Sequence, residues 1–394
     1  MDRRAFLRFG TALGASVFAG SSIWQEALAA AFVQTGRSPY GPLRDPDENG
    51  IMLPYGFRSR VIATSGEEVG NTGFVWHLFP DGGATFRGPT GWVYVSNAEF
   101  ILGEGVGAIR FDTRGQIVDS YRICAGTLLN CAGGATPWKT WLTCEEVPQG
   151  LVFECDPTGA LPQLARPALG TFRHEAVACN AVDRCLYLTE DEPDSGFYRF
   201  RPNRWGDLGS GVLEIAEVVG DVDVVWHEVP DPNPGRNDEP TRSQLAESSI
   251  FNGGEGIVAS RGHIYFTTKG DGRVWDYHPE SQTVCPLYDP DLDPGGQLDG
   301  VDNIMASQRG DLIVAEDHPF DQELVLITRS GTVSPLLRLT GQDASEITGP
   351  AFDPWERRLY FSSQRGGEDK LGVTYEISGP FRRLLLDCGP VPDA

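Results

Sequence analysis

Six short apolar runs recur along this chain, each breaking off into polar or acidic residues, and they limit what it can fold into. They read WVYVSNAE (92–99), TWLTCEE (140–146), CLYLTED (185–191), HIYFTTKGD (263–271), DLIVAED (311–317) and RLYFSSQRG (358–366). Measured between Glu99, Glu145, Glu190, Lys269, Glu316 and Ser363, the steps are 46, 45, 79, 47 and 47 residues. A second strand-like segment precedes each run: DGGATF (81–86), AGGATPW (132–138), RHEAVA (173–178), GEGIVA (254–259), VDNIMA (301–306) and ITGPAF (347–352). Further strand-like segments follow each run, such as AIRFDTRG and IVDSYRI. A repeat in the mid-forties with four short strands per unit is the signature of a propeller blade. The chain is therefore expected to be all-β, a six-bladed β-propeller with a central metal-binding channel. The long step is expected to hold an extra half-unit, with loop-like residues at 205–244. FRSRVIATSG (57–66) and the C-terminal FRRLLLD are expected to complete the last blade. That makes 57–394 the propeller domain and 30–56 an irregular N-terminal segment.

The first 29 residues read as a leader rather than as part of the fold. MDRRAFLRFG resembles the twin-arginine export signal, TALGASVFAG is a mild apolar stretch, and EALAAA offers a small-residue cleavage site. The expectation is a periplasmic or secreted protein, exported by the twin-arginine machinery, monomeric and without a membrane span. With 32 basic against 55 acidic residues, the net charge of −23 argues against nucleic acid or an anionic membrane as partner. Such charge serves solubility, or gathers carboxylates around hard cations. Six of the 8 cysteines lie at 124, 131, 144, 155, 179 and 185. Cys124 with Cys131 and Cys179 with Cys185 are close enough in sequence to pair, though connectivity stays open.

In a propeller the innermost strand of each blade lines the axis. The HEA, GEG, VDN and SEITGP segments would bring His174, Glu175, Glu255, Asp302, Asn303 and Glu346 towards it. The ends of the second strands would bring Glu99, Cys144, Glu145, Glu190, Asp191, Asp271, Glu316 and Asp317 nearby. Carboxylates crowded into a channel repel unless cations neutralise them. A single acid at a strand end is commonly a turn residue. Acids at matched positions in several repeats are not required by turns. Cys144 by itself reads equally as a core thiol or half of a disulfide. His174 reads equally as a satisfied core histidine. Lys269 and Arg365 are surface charges, or cations placed for an anion above the metals.

Over roughly residues 45–380 the chain resembles the PhoX-type alkaline phosphatases, a group of exported, twin-arginine-dependent enzymes. The stretches that carry the resemblance are NGIMLPYGF, GWVYVSNAE, NCAGGATPWKTWLTCEE, FRHEAVA, GVDN, GDLIVAED, SEITGPAF and SSQRG. The resemblance implies a β-propeller and hydrolysis of phosphomonoesters at a cluster of iron and calcium joined by an oxo group. It implies Cys144 as the iron-binding thiol, and Glu99, Glu145 or Glu146, Glu190, Asp302 and Glu346 as matching or neighbouring the acidic ligands. Glu255 joins them from its channel position. Longer members carry an R-P-E string where GVDN stands here. Asp302 thus replaces a glutamate, and Gly300 stands in place of an arginine that would help hold phosphate. Lys269 or Arg365 would then supply the cation, with His174 as a further catalytic candidate. Two alternatives remain at this point: a calcium-dependent lactonase or esterase with no thiol ligand, and a non-catalytic propeller stabilised by calcium.

Overall fold

The computed structural model describes residues 33–293, 295–318 and 322–383. The leader at 1–29, Cys388 and most of FRRLLLD lie outside the described residues. Among the described residues the regular elements are strands, apart from two short 3-10 turns at Pro167–Leu169 and Thr241–Ser243. No helix among them is long and apolar enough to cross a membrane.

The arrangement is propeller-like. Six repeat units each begin with an inner strand: Pro80–Gly88, Asn130–Ala135, His174–Asn180, Gly254–Ser260, Val301–Ala306 and Ile347–Phe352. Each inner strand lies beside the next, and the sixth lies beside the first, so the ring closes. The units do not form six separate four-stranded sheets, however. The first, second and sixth are four-stranded, whereas the fifth has six strands and the third and fourth share one nine-stranded sheet. The reason lies in residues 205–244. Their first half is not loop but a long hairpin, Asp207–Val219 with Asp223–Glu228. Its runs of Val, Ile and Trp favour strand, and its tip reaches the fourth unit through the pair Asp223–Thr283. The fifth unit gains strands because Gln34–Thr35 and Ile51–Met52 both pair with its outer strand, Thr332–Leu339. The segment expected to be irregular is thus partly ordered as edge strand.

Ring closure uses both ends of the chain. Arg58–Thr64 supplies the outer strand of the sixth unit by pairing with Val373–Ser378. This strand, from the N-terminal side, joins the sheet of the last unit and so ties the two ends of the described chain together. Apolar side chains are buried in six clusters, one at each junction between neighbouring units. Alternation explains this: a strand standing in a ring of sheets sends successive side chains to the junctions on either side. Trp141 packs towards the first unit and Leu142 towards the third.

Candidate metal centre

Every inner strand carries a β-bulge at the same place, two residues wide, where pairing with the second strand slips. A bulge turns a side chain out of the pleat and exposes backbone groups that need partners. In the first five units the first bulged residue is Asp81, Cys131, Glu175, Glu255 and Asp302 in turn; in the sixth it is Gly349. Neighbouring units cap the bulged carbonyls. Asn97 Nδ2 donates to Cys131 O at 3.0 Å and Ala132 O at 2.8 Å, Thr189 Oγ1 to Glu255 O, and Thr267 Oγ1 to Asp302 O. Glycines follow because adjacent inner strands touch. A Cβ on Gly82 would lie 2.5 Å from Ala132 Cα, and one on Gly256 2.5 Å from Ile304 N. Gly349 has φ of +58°, a conformation that glycine adopts without strain.

The bulges gather acids and one thiol at the upper end of the axis. Ligand atoms of Cys131, Glu146 and Glu175 lie within 4.8 Å of one another, as do those of Glu175, Glu255 and Asp302. Cys131 Sγ donates to Glu175 Oε1 at 3.1 Å. Asp81 and Glu99 both accept from Gln364 Nε2, at 2.5 and 2.6 Å. Burial, followed by the neighbouring carboxylates, pushes Asp81, Glu175, Glu255 and Asp302 well above the ordinary carboxylate range. The same causes hold the Cys131 thiol far above its usual value. Glu146 and Glu346 are pushed up to about 7, chiefly by burial, then by Glu99 for the first and Asp317 for the second. Such a group of buried acids is unfavourable unless protonated or neutralised by cations. Hard carboxylate oxygens beside one soft sulfur make a donor set that fits a hard cation together with a transition metal.

Three cations stand at the mouth. Lys269 Nζ lies 2.8 Å from Glu255 Oε1, Arg365 Nη1 2.5 Å from Glu346 Oε1, and Arg173 Nη1 3.0 Å from Glu146 Oε1. The side chains of Lys269 and Arg365 are 41% and 44% exposed, so each can turn towards a ligand from solvent.

The expected site residues divide into two groups. Glu99, Glu255, Asp302, Glu346, Lys269 and Arg365 are brought together. Cys144, Glu145, Glu190 and His174 stand elsewhere. Cys144 is fully buried in the apolar cluster with Leu142, Val152, Val177 and Leu188, between the second and third units. Its strand lies one place out from the axis, and its side chain faces the junction. Glu145 accepts the Leu128 and Leu151 backbone N–H groups at 2.9 and 3.1 Å, fixing turns. Glu190 is closed off by Arg242 Nη1 at 2.9 Å and Tyr198 OH at 2.8 Å; burial lifts it to about 7. His174 packs at a tilt against Phe172, ring centres 3.7 Å apart, and its Nε2 meets Gly170 O at 3.1 Å; burial lowers it to about 4. His174 and Glu175 are consecutive on one strand, so only one of them faces the axis.

The repeat marker was therefore one residue early in the second, third and fifth units, at Glu145, Glu190 and Glu316, whereas Glu99 and Lys269 already stood just past their strands. The residues just past the second strands, Glu99, Glu146, Asp191, Lys269 and Asp317, interact with one another and with the bulge acids at the mouth. Asp81, Cys131 and Arg173 were missed as site residues, and of the pair Glu145 or Glu146 it is Glu146 that joins the group. The signal for the first two was present: DGG places an acid directly before a glycine, as GEG does, and CAGG places a thiol one residue further from one. The cysteine pairings suggested by spacing are not seen. Cys131 bonds Glu175, Cys124 Sγ lies 3.7 Å from Thr127 Oγ1, and Cys185 Sγ points to Asp183 O.

The family model described as alkaline phosphatase PhoX matches residues 96–151 and 147–271. Among solved structures, that of Pseudomonas fluorescens PhoX in complex with vanadate, a transition-state analogue, superposes with a TM-score of 0.70 at 16% identity. The match covers 88% of this chain and 98% of that one. A Bacteroides thetaiotaomicron protein of unknown function superposes with a TM-score of 0.52 at 10% identity, covering 83% of this chain and 78% of that one. No curated protein sequence matches the chain.

Proposed function

The chain is of the PhoX type, and from that premise we propose that it is a metal-dependent phosphoric ester hydrolase, exported to the periplasm, acting on phosphomonoesters at a calcium and iron cluster in a six-bladed propeller. One observation carries the reading: a buried thiol and buried carboxylates converge at the bulges of successive inner strands, with half-exposed cations above them. Asp81, Cys131, Glu146, Glu175, Glu255 and Asp302 would hold the metals, with Glu99 and Glu346 at the rim. Bound there, the metals would polarise the phosphoryl oxygens and offset the charge that develops on them.

The chain's own groups do the rest. Lys269 and Arg365 present positive charge to the outer oxygens of a phosphate entering from solvent. Arg173 holds Glu146 in place through its ion pair. Gln364 spans Asp81 and Glu99 and fixes both carboxylates. The bulge caps, Asn97, Thr189 and Thr267, keep the ligating strands at their spacing. A thiol among the acids has no use in a lactonase that needs one calcium, so that alternative loses support.

The test is turnover of a chromogenic phosphomonoester by the purified chain before and after chelation. Loss on chelation and recovery with calcium and iron are expected. Absence of turnover under every metal condition removes the reading. Cell fractionation should find the protein in the periplasm.

A further inference from the structure

Cys124 ends the fourth strand of the first unit, Ile117–Cys124, and Cys155 ends the third strand of the second unit, Val152–Cys155. Both are buried in the apolar cluster at the junction of the two units, among Val93, Ala108, Ile123 and Trp141. The surrounding backbone is tied across the junction. Ala125 N donates to Gln163 Oε1 at 3.0 Å, Gln163 Nε2 donates back to Ala125 O at 2.6 Å, and Tyr121 OH donates to Pro157 O at 3.0 Å. Across this seam each thiol is the leading influence on the other's ionisation. Their remaining polar contacts are long: Thr127 Oγ1 at 3.7 Å for Cys124 and Phe153 O at 4.0 Å for Cys155. The proximity of Cys155 holds the Cys124 thiol below its usual pKa, which makes Cys124 the better nucleophile of the two.

We infer that Cys124 and Cys155 form a disulfide that joins the first unit to the second. The segment it encloses carries Cys131 and Glu146, so the bond would brace the strand that presents the thiol of the metal centre. This inference is independent of the proposed activity. The oxidant is a disulfide, either of low molecular weight or on an oxidising protein. The Cys124 thiolate attacks one sulfur of that disulfide and expels the other as a thiolate. The Cys155 thiolate then attacks the Cys124 sulfur of the mixed disulfide and expels the second thiol. The protein loses two hydrogens, and the oxidant, gaining two electrons, leaves as two thiols.

The test is to fold the full chain with oxidised glutathione, denature it without reductant, block free thiols with iodoacetamide and map the peptides by mass. The expected result is a fragment joining the peptides of Cys124 and Cys155, with neither residue alkylated. Cys124→Ser should leave Cys155 open to alkylation, and Cys155→Ser should do the same for Cys124. A reductant should lower the unfolding temperature of the unaltered chain. Alkylation of both residues in the oxidatively folded chain, or a linked fragment pairing either with another cysteine, overturns the inference. The mapping of the unaltered chain decides this even where a variant does not fold.

Discussion

Replacing Gly256 with alanine tests whether close contact between inner strands is what places the carboxylates. Gly256 follows Glu255 in the bulge, and a Cβ there would lie 2.5 Å from Ile304 N and 2.7 Å from Asn303 Cα. Both atoms are backbone of the next inner strand, so neither can swing aside. Carbon contacts are comfortable at roughly 3.5–4.0 Å, so the two strands must part by about 1 Å. Overpacking of this kind costs about 1–3 kcal/mol, and the upper end is expected where the obstruction is backbone. The parting also separates Glu255 from Asp302, whose ligand atoms now lie within 4.8 Å. Displacing reacting groups by about 1 Å can cost about 100-fold in rate. Urea unfolding of the metal-loaded protein should therefore show the stability loss, and kcat on a chromogenic phosphomonoester should fall about 100-fold by the same argument. If the variant keeps its kcat and its stability to within about 0.5 kcal/mol, as an ordinary surface change would, the strands have slack and the reasoning fails.

Cys131→Ser should strip the transition metal and nearly all turnover, whereas Cys144→Ser should keep its metal and lose about 1–3 kcal/mol for a hydroxyl placed in an apolar cluster. Elemental analysis with denaturant unfolding separates them, and metal loss confined to the Cys144 variant would restore that residue as the ligand. Chelated protein should lose stability as pH rises. Glu146 and Glu346 are raised in the folded state from 4.5 to about 7, so their contribution is full below the unfolded value and lost as pH climbs through the folded one. Unfolding temperatures between pH 5 and 8 should fall for chelated protein and stay flatter for metal-loaded protein; a rise for chelated protein contradicts the cause assigned to the shifts. Lys269→Met and Arg365→Met should each raise KM for a phosphomonoester and weaken inhibition by inorganic phosphate about tenfold, in line with losing a charge-assisted hydrogen bond. An unchanged KM in both would leave the two cations without a part in binding.

The unit, its recurrence and the segments that line the axis were all legible in the order of residues. Those features are local: apolar runs at a mid-forties spacing force short strands that can bury themselves only against neighbouring copies. The sequence also marked Glu255, Asp302, Glu346, Lys269 and Arg365 for the centre, because an acid or cation recurring at matched points of a repeat has no reason in turn chemistry. Which of two adjacent residues faces the axis was settled only in three dimensions. A strand alternates its faces, and a bulge resets that alternation, so the bulges gave the axis Glu175 rather than His174. Alternation in the unbulged second strand turned Cys144 to a junction, while the first-strand thiol, Cys131, reached the acids. Cys144 stands next to two glutamates in sequence whereas Cys131 meets Glu175 only through the fold, so sequence proximity pointed to the wrong thiol. The long hairpin that merges the third and fourth sheets was likewise hidden, because the pair Asp223–Thr283 joins segments that only ring closure brings side by side.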